Sequence, residues 1–163
     1  MESPGAAGRS AVFVRQLPLP PPLITLLADH RWKHPGDDAL KSTMPWFESP
    51  LDFLESTQAM TRESQALDRF ADDPPSRDLF RVHRSSTLPH PSDLPWLDAE
   101  AAVLIAVNRN PGDDVAIALD YRTDRHNPRV IASDFWTDPH QCSWRTVTTT
   151  FSGFLIALNL QST

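Results

Sequence analysis

Cysteine is almost missing from this chain. Cys142 is the single one in 163 residues, which excludes an intrachain disulfide framework. Glycine is nearly as scarce, at five residues against sixteen prolines, and only Gly112 and Gly153 fall after Gly36. No GxGxxG, GxxxxGK[ST] or GxSxG pattern occurs, so a phosphate-cradling loop and a serine elbow both lack their material. Long apolar runs are absent too. The longest, Ala99 to Val107, contains Glu100 and has the length of a strand, far short of the roughly 20 residues that span a bilayer. Residues 1–10 do not show the charged-then-apolar layout of a secretory signal, so the simplest setting is cytoplasmic and reducing.

Lys and Arg are nowhere clustered, and the formal net charge is −6. Residues 1–35 carry four bases against two acids, residues 36–100 six against thirteen, and residues 101–163 five against six. Such a chain lacks the electrostatic footprint that supplies most nucleic-acid affinity, and an anionic membrane would repel it. Negative charge in the middle third either keeps the protein soluble or favours basic partners. At 40 % hydrophobic and 22 % charged the composition is that of a globular protein, and the length suits one domain over residues 1–163.

Proline supplies the punctuation. Pro18 to Pro22 end a flexible or extended lead-in over residues 1–17, after which Leu23, Ile24, Leu26, Leu27 and His30 repeat at helical spacing. Proline in a first helical turn costs nothing, because that amide hydrogen has no partner in any case. Ser49-Pro50-Leu51-Asp52 reads as a second helix start, with Ser49 as cap and an apolar face of Leu51, Phe53, Leu54 and Met60 running into the sixties. Residues 68–98 read as an irregular, proline-rich surface segment with a short helix around Ser76 to Arg84.

From residue 101 the period becomes extended. Ala101–Asn108, Val115–Tyr121, Arg129–Phe135 and Ser143–Thr148 are rich in Val, Ile and Thr and bounded by turn residues, which predicts four strands. Their connections are too short for crossover helices, so neighbours pair antiparallel in a meander. Alternation along Val115–Asp120 predicts one packed face and one face of small or polar residues. Thr150 caps a last helix whose Phe151, Phe154, Leu155 and Leu158 cover the packed face. The class is α+β: an antiparallel meander of about four or more strands in the C-terminal half, packed against N-terminal helices and a C-terminal helix.

Chemistry is sparse. Cys142 lies between a turn and a strand with no helix start or cationic cluster to lower its pKa, so it reads as a core or edge thiol. His30 and His34 are four apart, but Pro35 and Gly36 end that segment at once and no HExxH accompanies them. One repeat stands out: Pro35-Gly36-Asp37-Asp38 recurs as Pro111-Gly112-Asp113-Asp114. Each aspartate pair can cap the segment after its turn, bind a basic partner, or, if the loops meet, present four carboxylates to magnesium as a hydrolase would.

The string from Val115, VAIALDYRTDRHNPRVIASDFW, and the later SWRTVTTTFSGFL resemble the SUKH superfamily in its Smi/Knr branch. Leu119-Asp120-Tyr121, Pro128 to Ile131, Trp144 and Phe151 to Leu155 stand where that family places a strand-ending triplet, the next strand, a tryptophan strand and the closing helix. Leu17-Pro18 is similar to its opening. Residues 33–95 are longer and richer in proline than the family pattern, and the glycine pair after the first helix is missing. The resemblance implies a non-enzymatic protein-binding module with no cofactor, no metal and no shared catalytic residues. It implies, for bacterial members, an immunity protein that neutralises a toxin, often a basic one. The alternatives are a regulatory adaptor with a cellular partner and, from the aspartate pairs, a metal-dependent hydrolase. On the immunity reading the interface draws on Asp113, Asp114, Asp120, Asp124, Asp134, Trp136 and Asp138, with Asp37 and Asp38 alongside, and Trp46, Trp96 and Trp136 are the aromatic anchors.

Overall fold

The structure, a computed structural model, describes residues 11–47, 50–109, 116–135, 137–138 and 140–160. It opens on a two-residue hairpin, β1 (Phe13–Val14) with β2 (Leu17–Pro18), turned by Arg15 and Gln16 at positive φ. The expected lead-in is therefore partly built structure, since Val14 is fully buried and Arg15 ties the turn to Ser64, Asp68 and Ala99. Helix α1 (Pro21–Ala28) comes next, with proline in its first turn, and buries Leu23 and Leu26. It stops at Ala28, so neither His30 nor His34 is helical; His34 faces Asp37 at 3.6 Å.

Gly36, at φ 107°, turns the chain into α2 (Asp37–Thr43). Then comes β3 (Leu51–Phe53), and here the expected helix start gives way to a strand. Leu51 and Phe53 point inward and Asp52 outward, the period-2 pattern that a short edge strand needs. The proposed cap, Ser49, lies outside the described residues. The actual cap is Ser56, whose side chain accepts the Ala59 amide and starts α3 (Thr57–Asp72). Met60, Ser64, Leu67 and Ala71 form its buried stripe, at the i, i+4, i+7 spacing of one helix face.

Residues 68–98 are more ordered than a surface loop. Asp73 caps α4 (Pro74–Phe80), and β4 (Val82–His83) pairs in parallel with β5 (Leu97–Asp98). Phe80 stacks on Phe70 at 4.2 Å, which fastens α4 to the end of α3.

Strands β6 (Ala102–Asn108), β7 (Ala116–Asp120), β8 (Arg129–Asp134) and β9 (Ser143–Thr148) make the predicted antiparallel meander. β3 adds a fifth strand beside β6, giving the order β3-β6-β7-β8-β9. Beyond the end of β3, the Leu104 amide of β6 donates to Ser64 Oγ at 2.9 Å, so α3 takes over the place of a strand partner. The face of small residues is present as expected but is not left to solvent, because every residue of β7 is buried. Ala116 and Ala118 are small because short side chains let a covering layer approach closely. Helix α5 (Phe151–Ala157), capped by Thr150 through the Gly153 amide, packs on β8 and β9. Trp32, 1 % exposed, sits 4.7 Å from Phe53, 6.0 Å from Phe151 and 6.5 Å from Phe154, and so joins the chain after α1 to β3 and α5.

Candidate functional site

Two of the sequence-predicted acids meet where β8 ends and β9 begins. Asp134 closes β8 and is almost wholly buried. It accepts from the Thr137 amide at 3.0 Å, the Thr137 hydroxyl at 2.6 Å and Arg145 Nη1 at 2.9 Å. Arg145, half-exposed on β9, lies over the Trp46 ring with its guanidinium carbon 5.2 Å from the ring centre. Trp46 is fixed in turn by its indole N–H, which donates to the Ser133 carbonyl at 3.2 Å. Carboxylate, guanidinium and indole thus form one supported chain, and the ring face adds to what holds the cation.

Beside this chain is an open hollow of about 420 Å³, walled by Asp134, Thr137, Asp138, Trp144, Arg145 and neighbours. Asp138 stands at its rim, with its side chain 59 % exposed and its carboxylate 3.5 Å from His140. Trp46, Asp134 and Asp138 therefore gather at one end of the sheet. Trp136, Asp113 and Asp114 lie outside the described residues.

The other predicted acids are elsewhere. Asp120 stands across from Arg129 at the start of β8, the end remote from Asp134, and is fully buried. Arg122 grips it with Nε at 2.9 Å and Nη2 at 3.0 Å, and Arg129 Nε adds a third bond at 2.7 Å. Burial pushes the Asp120 carboxyl up, but the hydrogen bonds and charge of Arg122, with Arg129, outweigh it and hold the group below the usual carboxylate range. Arg129 also bonds Asp93, and Arg122 reaches Ser92 and the Trp96 carbonyl. The cluster is a clamp between the sheet and residues 92–96, with the Asp120 carboxylate turned away from solvent. Asp124 is exposed, and it accepts the His126 and Asn127 amides in a turn that also lowers its pKa. Asp37 and Asp38 occupy the first turn of α2, where they complement the positive end of the helix dipole.

Cys142 is buried, and burial pushes its thiol up to about 12, so at neutral pH it is a protonated core group rather than a nucleophile. Among the described residues no three His, Cys, Asp or Glu side chains converge to hold a metal ion, and no helix is long and apolar enough to cross a membrane. No protein-family model, curated protein or solved structure matches the chain. Sequence reasoning missed Arg145 and Thr137, which help to hold the Asp134 carboxylate in place. A lone Arg inside a Thr-rich strand carries no local sign of the aromatic ring it will lie on.

Proposed function

We propose that this protein is a non-enzymatic protein-binding module of SUKH type, acting as an immunity protein that neutralises a cognate basic toxin. The supporting observation is the β8–β9 end of the sheet. There an ordered Trp46–Arg145–Asp134 chain lies beside an open hollow, with the exposed carboxylate of Asp138 at its rim. A rigid aromatic, a polar rim and an exposed carboxylate are what an interface needs to anchor and to steer a basic protein. The net charge of −6 acts in the same direction over longer distances.

The test is a tagged pull-down from the native host at about 0.05 M and about 0.5 M salt, with the captured proteins identified and the capture repeated with Asp138→Lys. A basic, toxin-like partner that is lost at high salt and weakened by the charge reversal is the expected result. A partner whose capture ignores salt and Asp138 overturns the immunity reading in favour of a regulatory adaptor.

A further inference from the structure

A second hollow, of about 670 Å³, opens between the end of α3, α4 and the β4–β5 pair. Its size falls within the range of small-molecule sites, and its wall mixes apolar surface with the polar side chains of Asp72, Arg77, His83 and Arg84. His83 of β4 lines it, only 8 % exposed, with its ring parallel to Trp96 at 4.9 Å. The His83 Nε2 atom is buried and has no hydrogen-bond partner. Buried polar atoms are nearly always paired, so an orphan in the wall of a hollow marks a partner still to come.

The neighbouring charges say what kind. Arg77 of α4 lines the hollow with its side chain 42 % exposed; its nearest carboxylate is that of Asp78, 3.6 Å away and outside hydrogen-bond reach. Asp72 is the acid in the wall, and Arg84 already occupies both its oxygens at 2.8 and 3.0 Å. Burial lowers the His83 pKa; Asp98 opposes the shift while the Arg122 and Arg77 charges reinforce it, so the ring is neutral and offers a hydrogen bond rather than a charge. Trp96 and Leu88 supply apolar surface.

We propose that this hollow binds a small planar carboxylate, its oxygens toward Arg77 and His83 and its apolar body against Trp96 and Leu88. A guanidinium matches a carboxylate in plane and in charge. A doubly charged phosphate would suffer more from Asp68, Asp72, Asp73 and Asp78, which crowd the same two helices. The site is separate from the β8–β9 end, and neither reading depends on the other.

The experiment titrates the full chain with benzoate, and in parallel with the neutral benzamide, while tracking the His83 ring nitrogens and the Trp96 indole by NMR. Benzoate moves both sets of signals saturably, and both benzamide and the Arg77→Gln variant bind about tenfold more weakly, as the loss of a charge-assisted hydrogen bond predicts. Arg77 is a surface helix residue, so the variant keeps its fold. No movement with benzoate means that water alone satisfies His83, and the proposal is overturned. Equal binding by benzamide, or by Arg77→Gln, overturns it as well.

Discussion

Asp120 and Asp134 look alike in the sequence, each an acid ending a strand, and their surroundings separate them from every exposed aspartate. Asp120 depends on Arg122, two residues on, and Arg129, nine residues on. Only the first is near enough in sequence to suggest a pair, and nothing local says that the carboxylate is buried. Removing one member of a buried ionic cluster strands the others, so Asp120→Asn should cost about 3 kcal/mol, read as a fall in the urea midpoint. The same carboxylate sets part of the acid limit. Its folded pKa lies below its unfolded one, so its stabilisation is present above the unfolded value, near 3.8, and is lost as pH falls toward the folded value. His83 acts in a higher window. Its pKa is lowered from 6.5, so folding favours the neutral ring, and stability present above 6.5 falls as pH drops through that value. Urea midpoints at about pH 7.5 and about pH 5.5 should differ in the native protein and differ less in His83→Gln.

Elements with several coincident signals were legible, and those resting on one signal were not. β9 runs from Ser143 to Thr148 as read, because β-branched residues, turn boundaries and alternation agree there. The Thr150 cap before an apolar i, i+3, i+4 set located α5 just as clearly. β3 failed because Ser-Pro before an apolar residue and an acid is a helix-start signature, while its three strand residues are held by pairing with residues 106–108, more than fifty positions away. β4 and β5 are two residues each and pair in parallel across a long connection that no local pattern announces. Of the candidate site, the acids and Trp46 could be read, but their convergence on Arg145 could not. Ser64 shows how one side chain can complete an element. Ser64→Ala leaves the Leu104 amide buried without an acceptor, and a loss of about 2 kcal/mol is expected by chemical denaturation. Thr150→Ala removes a cap and should cost about 1 kcal/mol by the same measurement.

At the scale of the whole molecule, distant parts of the chain close on one another. Trp32 contacts Phe53 and both phenylalanines of α5, and Tyr121 donates to the Pro18 carbonyl at 2.8 Å. Trp32→Ala opens a cavity where three elements meet, and a loss of about 4 kcal/mol is expected. The unfolding transition should stay single in the variant, because the described buried hydrophobic residues form one continuous cluster.

The same closure has a meaning for how the protein is made. β3 and Trp32 are made well before the strand that pairs with one and the helix that packs on the other. At translation speeds of about 5–20 residues per second, the apolar side chains of the first half wait several seconds for their partners. During that interval the nascent chain exposes apolar surface that the finished fold buries, and a chain cut within β8 lacks both the β9 pairing and the α5 cover that close the core.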